Sequence, residues 1–443
     1  MKPPPLFITL ACALTTATTS FAETVKDREG AVRNDKATME NDKRWMYNDV
    51  AAGFAEAKRS GKPLMIVLRC VPCMACSGID TQVLLQETEL TPLMSQFVCV
   101  RVINANALDL SRFQFDYDLS FSTLFFNADG TLYGRYGSWM HQKDAQEKST
   151  ASLRLALESA LALHQGYPAN KAALAGKQGG PTPFKVPVEL PALAEKYTLD
   201  LNWSGKVVQS CVHCHQIGDA LRLSFRDKKE AIPSQWIFPF PEPETIGLTL
   251  APDQVAHVQA VAPKSPAALA GIQPGDDLVA LAGQPLISIA DLSWTLHRTP
   301  DAGSLPVTIR RANATSSGVI TLPDGWRTKS DISHRVGTWP MRGMALGGMV
   351  LDEVADADRT SRHIGANDLA LHIKSVGNFG KHAAAKNAGF QKDDVIVSID
   401  GLTTRATEGQ LIGQLLQKHQ AGETVKATVL RGTEKVALTL PIQ

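Results

Sequence analysis

Five of the seven cysteines in this 443-residue chain lie in two short motifs. The first motif is Cys70-Val-Pro-Cys73-Met-Ala-Cys76, which follows an apolar run at 64–68 and opens a predicted helix. At the start of a helix, the dipole and the free amide groups lower the pKa of a cysteine thiol and make it a nucleophile. A second cysteine three residues later can resolve a mixed disulfide. The motif therefore predicts thiol–disulfide chemistry, with two overlapping C-x-x-C pairs from which to choose.

Two other uses of these three cysteines stay open. Two of them could form a structural disulfide, or all three thiolates could hold a metal ion with a neighbouring ligand. Cys99 lies within the apolar stretch 97–103, so we expect it to be a buried core residue.

The second motif, Cys211-Val-His-Cys214-His215, is the C-x-x-C-H attachment sequence of c-type haem. In that chemistry Cys211 and Cys214 bond to the haem vinyl groups, and His215 binds the iron as proximal ligand. The candidate distal ligands are Met341, Met344 and His334. A zinc ion on these cysteines and histidines, with His213 as a further ligand, or a plain disulfide, is the alternative.

The N-terminus has the features of an export signal. A basic start at Met1-Lys2 is followed by apolar residues 6–14 and by Ser20-Phe21-Ala22, which suits cleavage after Ala22. The apolar run is too short to cross a bilayer, and no later stretch of 18 apolar residues follows. We therefore expect a signal peptide over 1–22 and a mature periplasmic chain without a membrane span. A buried N-terminal strand, the alternative, is disfavoured by the prolines at 3–5.

Length and composition predict several folded domains. At roughly 100–200 residues each, 443 residues correspond to two to four domains. The 44% of hydrophobic and 20% of charged residues suffice for packed cores. Lys and Arg number 45 against 44 Asp and Glu, a formal net charge of +1. That balance argues against nucleic acid or a strongly charged membrane surface as the main partner.

The chain divides into four regions. Residues 45–166 alternate helical and strand patterns, with a hairpin turn at 127–130. Residues 167–190 are rich in Pro, Gly and Lys and predict a linker. Residues 191–242 carry the second motif. In the remainder, 270–283 match 388–401 without a gap, which predicts two copies of one small β-rich domain.

Residues 45–166 resemble the thioredoxin-like family through the helix, Gly61-Lys62-Pro63, the apolar strand and the dithiol. Counted from Lys62-Pro63, the resemblance implies that Cys73 is the nucleophile, Cys76 its partner and Cys70 a third, resolving thiol. It also implies a cis-proline opposite the dithiol, but Ser122 occupies that position.

The repeats resemble PDZ domains, over 243–323 and 345–443, on the pattern Ser265-Pro-Ala-Ala-Leu-Ala-Gly-Ile-Gln-Pro-Gly-Asp276. This resemblance implies peptide binding by strand addition, with loop amides that capture a terminal carboxylate. In the first copy that loop is Ile246, Gly247, Leu248, Thr249 and Leu250. In the second copy it is the stretch 346–349. The alternative is that the domains serve only as packing or dimer modules.

In its domain order the whole chain resembles bacterial thioredoxin/PDZ proteins, some of which carry selenocysteine at the position of Cys73. We therefore predict a multidomain α/β plus β protein, with a thioredoxin-like domain, a short haem-motif segment and two PDZ-like β domains. The predicted function is periplasmic thiol and haem redox chemistry, with PDZ domains that recruit envelope proteins, their C-terminal peptides or redox partners. The alternative is a PDZ scaffold or haem-based sensor without enzyme activity. No Gly-x-Ser-Gly-Gly sequence is present, so we do not expect a protease.

Overall fold

The computed structural model describes residues 27–71, 89–119, 121–137 and 150–443. Cys73, Cys76 and the predicted signal peptide lie outside these residues. The strands are β1 Trp45–Tyr47, β2 Leu64–Arg69, β3 Val98–Val102, β4 Phe121–Phe126, β5 Leu132–Tyr136, β6 Leu248–Leu250, β7 Val258–Val261, β8 Asp277–Leu281, β9 Gln284–Pro285, β10 Gly303–Arg311, β11 Ala314–Leu322, β12 Val350–Glu353, β13 Leu371–Ser375, β14 Val395–Ile399, β15 Thr424–Arg431 and β16 Glu434–Pro441.

The described α-helices are α1 Arg28–Asn41, α2 Val50–Ser60, α3 Thr91–Met94, α4 Ala151–Gln165, α5 Lys171–Leu174, α6 Pro191–Ala194, α7 Val207–Ser210, α8 Cys214–Asp227, α9 Ser234–Ile237, α10 Pro266–Leu269, α11 Ile289–Arg298, α12 Thr338–Leu346, α13 Asp356–Ser361, α14 Ala384–Asn387 and α15 Glu408–Lys418. Within the described ranges, none of these helices is both long and apolar enough to cross a bilayer.

The N-terminal domain, formed by α1–α4 and β1–β5, is built on a five-stranded sheet in the order β1-β3-β2-β4-β5. Strands β1, β3 and β2 are parallel to one another. Strand β4 pairs antiparallel with β2, and β5 pairs antiparallel with β4. Apolar side chains are buried on both faces of the sheet, so it lies at the centre of the domain. The register sets Phe121 opposite Arg69 and Ser122 opposite Leu68. The start of β4 therefore lies beside the end of β2, where the first cysteine motif begins.

The segment that carries the second motif packs onto this domain. Ile217, Ala220 and Leu221 of α8 share one core with Val102 and Tyr117 of the N-terminal domain. The apolar face of α8 thereby covers the sheet. Residues 191–227, the motif segment, extend the N-terminal domain.

The predicted linker, residues 167–190, is also packed. The side chain of Lys177 is buried, and its Nζ lies 2.6 Å from Oδ2 of Asp291, which is buried as well. The carbonyl of Gly176 accepts a hydrogen bond from the indole N–H of Trp294 at 3.0 Å. The Pro and Gly content of the segment thus marks irregular backbone rather than a free tether.

Two β domains follow, over 243–323 and 345–443. The first contains a four-stranded sheet in the order β11-β10-β8-β9 and the pair β6-β7, and the second has five strands in sequence order. Both copies of the repeat keep one ion pair: Asp276 with Arg311, and Asp394 with Arg431, each bidentate at 2.6–2.9 Å. These aspartates are buried and fix the turn that opens β8 and β14.

Candidate functional site

Cys70 follows β2 directly and is half-buried. Its Sγ lies 3.0 Å from Nδ1 of His213. The two residues come from different parts of the chain, 143 positions apart. The structure therefore brings the first cysteine motif and the second motif together at one place.

The backbone around His213 is held firmly. His213 is the N-cap residue of α8, and its N–H donates to Oε1 of Gln216 at 2.8 Å. The buried side chain of Asn106, in the N-terminal domain, accepts from the N–H of Val212 at 2.7 Å and donates to the carbonyl of Ser210 at 2.8 Å. Because Asn106 forms hydrogen bonds with backbone groups on both sides of Cys211, it holds the loop before α8 against the N-terminal domain.

Cys70, Cys211 and Cys214 line one small cavity with apolar side chains from both parts of the chain. The cavity encloses about 460 Å³ of empty space, open solvent included. The Sγ of Cys211 lies 3.5 Å from the carbonyl oxygen of Ile103. The three cysteines thus line one largely apolar cavity at the end of β2.

The surroundings shift the acidity of two groups. Burial raises the pKa of Cys211 to about 11, because the thiolate loses its water shell. Burial also lowers the pKa of His213 to about 4, and His215 and Arg28 add to this effect. At neutral pH the imidazole beside Cys70 is therefore uncharged. Cys214 is the first residue of the 14-residue helix α8, a position where the helix dipole favours a thiolate.

A c-type haem does not fit these residues as they are arranged. Both cysteines would have to bond to one macrocycle, with His215 on its iron. Cys214 is buried and packed into the core of the N-terminal domain, so its sulfur is not accessible to a vinyl group. His215 is half-exposed instead, with Nδ1 3.6 Å from Oδ2 of Asp219. Covalent haem stays a prediction from the motif, and no chemical step is assigned to it.

The predicted distal ligands lie elsewhere. Met341 and Met344 are buried in the core of the second β domain. His334 lies 3.3 Å from a carboxylate oxygen of Glu242 and 3.6 Å from one of Asp331. Across the part of the chain that the structure describes, no group of three or more His, Cys, Asp or Glu residues is arranged to hold a metal ion.

The predicted peptide loop of the first β domain has the required backbone. Gly247 has φ of +87°, and a Cβ there would lie 2.1 Å from Cβ of Ser265, so only glycine fits. Ile246, Leu248 and Leu250 are buried, and Thr249 is exposed. Among the described strands, β6 pairs with β7 alone, which leaves its other edge without a strand.

A cleft lies beside that loop, between the first β domain and the N-terminal domain. It encloses about 640 Å³ of empty space, open solvent included. Leu250 and Ser293 line it from the β domain, and Leu119 and Ser122 line it from the N-terminal domain. The cleft thus connects the space beside β6 with the start of β4.

The second β domain is closed at the equivalent place. Glu408, at the start of α15, accepts from the N–H of Leu351 on β12 at 2.8 Å. Its carboxylate also binds Arg342 at 2.6 and 2.9 Å, and both charged side chains are buried. In the predicted loop, the N–H groups of Gly348 and Met349 donate within the chain, to the carbonyls of Arg342 and Leu346. The loop amide of Gly247 in the first β domain also donates within the chain, to Glu244. The difference between the two domains is therefore the Leu351 N–H, which Glu408 binds.

Comparisons with protein families match three parts of the chain. A thioredoxin-like model matches residues 45–128, and PDZ domain models match 257–311 and 369–442. The chain carries a thioredoxin-like domain and two PDZ domains. The N-terminal domain is the first of these, and the two β domains are PDZ1 (243–323) and PDZ2 (345–443).

Other comparisons are less informative. No curated protein matches the chain. Solved structures of the HtrA-type protease AlgW, one with a tripeptide and one with a decapeptide, are 16% identical to it, with TM-scores of 0.20. Each match covers 31% of this chain and 52% or 48% of the protease chain, so this chain spans about half the length of those proteases.

Sequence reasoning missed three residues that shape these sites. His213 was considered only as a zinc ligand, although its position between Cys211 and Cys214 is visible in the motif. Asn106 and Glu408 carry no local pattern, because their partners lie far away along the chain.

Proposed function

We propose that this chain exchanges disulfides with partner proteins in the bacterial envelope, and that PDZ1 recruits those partners. The observation that carries the proposal is the Cys70–His213 contact at the end of β2 in a thioredoxin-like domain. A neutral imidazole at 3.0 Å can accept a hydrogen bond from the Cys70 thiol and hold its sulfur at the end of β2. The export signal predicted over 1–22 supports a compartment in which disulfides persist.

The proposed chemistry uses the dithiol that the family resemblance implies. The Cys73 thiolate attacks one sulfur of a partner disulfide, and a mixed disulfide forms while the partner's other sulfur leaves as a thiolate. Cys76 or Cys70 then attacks the sulfur of Cys73 and releases the reduced partner. Two electrons pass to the partner, and a disulfide remains on this chain until an envelope thiol reductant restores it.

PDZ1 is the proposed peptide-binding domain and PDZ2 a packing module. In PDZ1 the strand edge and the glycine turn are those that strand addition needs, and the cleft beside them reaches Ser122. In PDZ2 the corresponding amide is bound by Glu408. We propose that C-terminal peptides of envelope proteins bind in PDZ1, so that the partner disulfide lies near the thioredoxin-like domain.

Reduction of a protein disulfide by the purified mature chain tests the thiol function. With dithiothreitol as reductant and insulin as substrate, wild type is expected to reduce the disulfide, and Cys73→Ser to lose most of that activity. Cys99→Ala is the matched control, because burial raises the pKa of Cys99 to about 12 and keeps it out of reaction. Unchanged activity in Cys73→Ser would overturn the proposal.

Peptide binding tests the recruiting function separately. Ser293→Arg places a long charged side chain in the cleft of PDZ1, and Ser317→Arg places the same side chain on the exposed strand β11. In a screen of C-terminal peptides, Ser293→Arg should lose the binding that Ser317→Arg keeps. Peptide binding without any thiol turnover would instead favour a PDZ scaffold. An absorption spectrum of chain produced in a host that matures c-type cytochromes tests the haem prediction.

A further inference from the structure

Cys211 and Cys214 have a sequence separation that favours a disulfide, and a third sulfur is close to them. They form a C-x-x-C pair at the start of a helix, the arrangement of redox-active dithiols. Cys70 lines the same cavity. The imidazole in contact with Cys70 belongs to His213, which lies between the two cysteines in the chain. Cys214 is packed into the core, where a haem does not reach it, but all three cysteines line one cavity.

We propose that Cys211 and Cys214 are a second redox-active dithiol, and that their disulfide exchanges with Cys70. The sulfur of Cys70 attacks the sulfur of Cys211, so that a Cys70–Cys211 bond forms and the Cys211–Cys214 bond breaks. Cys214 leaves as a thiolate. The proton that Cys70 gives up ends on Cys214, so neither electrons nor protons are gained or lost in the step.

The position of Cys214 sets the direction of attack. It is the first residue of the 14-residue helix α8, where the free amide groups and the dipole stabilise a leaving thiolate. Cys211 lies before the helix and packs beside the carbonyl of Ile103. Burial raises its pKa, although a backbone hydrogen bond from Ala105 opposes the shift. Of the two sulfurs, Cys214 is the better leaving group, and Cys211 is the one attacked.

The surrounding contacts hold the loop in place for this exchange. Asn106 fixes the backbone on both sides of Cys211. The carboxylate of Glu29 accepts from the N–H groups of Val207 and Val208 at 2.9 and 3.1 Å, which anchors α7 just before the loop. A loop held at both ends keeps its sulfur near Cys70, and such positioning accelerates a reaction between fixed groups.

Cys70 would then connect two dithiols on one chain. In sequence it forms a C-x-x-C pair with Cys73, and in the structure it lies beside Cys211 and Cys214. The exchange does not require Cys73 or Cys76. It can therefore be tested in a mature chain with Cys73→Ser and Cys76→Ser, which lacks the dithiol of the proposed function, so that its failure is separate from the failure of that function.

The experiment maps disulfides in that background after equilibration with mixtures of reduced and oxidised glutathione. Tryptic peptides of the parent should show a Cys211–Cys214 disulfide. Adding Cys214→Ser should replace it with a Cys70–Cys211 disulfide, and adding Cys70→Ser as well should abolish that bridge. Cys99→Ala, the control, should leave the pattern of the parent unchanged.

A kinetic measurement tests whether His213 positions Cys70. In the Cys214→Ser chain, His213→Ala removes the contact to the Cys70 sulfur and should slow formation of the Cys70–Cys211 bridge by at least about tenfold. The proposal is overturned if no Cys70–Cys211 bridge forms at any glutathione ratio, or if the peptide with Cys211 and Cys214 carries the mass of a haem.

Discussion

Arg335 connects the segment between the two PDZ domains to the thioredoxin-like domain through a buried charge cluster. Its guanidinium lies 2.5 Å from Oδ1 of Asp116 and 3.0 Å from Oδ2 of Asp118. All three side chains are at most 8% exposed. Removal of the cation strands two carboxylates away from water, and breaking a buried pair in this way costs about 3–5 kcal/mol. We therefore expect Arg335→Leu to lower the free energy of unfolding of the thioredoxin-like domain by that amount.

The loss should depend on pH. Burial raises the pKa of Asp116 to about 6, although Arg335 opposes the shift. A carboxyl whose folded pKa lies above its unfolded value of about 3.9 contributes stability that is present below about pH 3.9 and lost as the pH rises through about 6. At pH 5 Asp116 is therefore mostly protonated in wild type. Without Arg335 its pKa rises further, so Asp116 is also protonated at pH 5 in the variant and does not need the missing cation there. The destabilisation by Arg335→Leu should be largest at pH 8 and smaller at pH 5.

Equilibrium unfolding of the full chain in urea, followed by tryptophan fluorescence, measures both effects. With a slope of about 2 kcal/mol per molar urea, the loss corresponds to a midpoint lower by roughly 2 M at pH 8. The control Arg59→Leu removes an exposed arginine from the surface pair with Glu56 and should cost less than about 1 kcal/mol. Adding Asp116→Asn and Asp118→Asn to Arg335→Leu should restore most of the stability. A loss under 1 kcal/mol for Arg335→Leu, or the same loss at both pH values, would refute the reasoning.

Three further predictions concern single contacts. Glu408→Gln should destabilise PDZ2 by about 3 kcal/mol and speed hydrogen exchange at the N–H of Leu351, while Glu353→Gln at the surface should do neither. Asn106→Ala removes three hydrogen bonds, to 198, 210 and 212, and should cost about 2 kcal/mol or more, with faster exchange across 198–212 in mass spectrometry. Burial lowers the pKa of His213 to about 4. The stability that the uncharged imidazole contributes to the fold is therefore present above about pH 6.5 and is lost as the pH falls through 4. His213→Gln should therefore lose less stability than wild type between pH 7 and pH 4 in acid unfolding.

The domain plan was visible in the sequence because it rests on local signals. The repeat at 270–283 and 388–401 lies at a turn that a buried aspartate fixes in both copies. Because both turns have the same geometry, their sequences are similar enough to be recognised. The dithiol after an apolar strand likewise identified the thioredoxin-like domain, which the family comparison confirms, as it does both PDZ domains. These features are set by residues within about a dozen positions of one another.

The tertiary contacts could not be predicted from local pattern. The composition of 167–190 indicated a linker. The structure buries this segment instead, because Lys177 pairs with Asp291, which is more than a hundred residues away and leaves no local pattern. The haem motif is likewise a local pattern, and it contains no information on what covers its cysteines. Only the fold shows that Cys70 lines the same cavity as Cys211 and Cys214, and that Cys214 packs into the core of the thioredoxin-like domain.

The contact between β5 and α11 determines how far a bound partner can reach. The N–H of Arg135 donates to Asp291 at 3.0 Å, its carbonyl accepts from Ser288 at 2.5 Å, and its guanidinium stacks over Trp294 at 3.7 Å. Because the two domains meet through buried polar contacts rather than a flexible tether, linker length does not set the effective concentration of a recruited chain. An extended peptide advances about 3.3 Å per residue. Under the proposed function, the chain would therefore act on disulfides that lie a fixed number of residues from the partner's C-terminus.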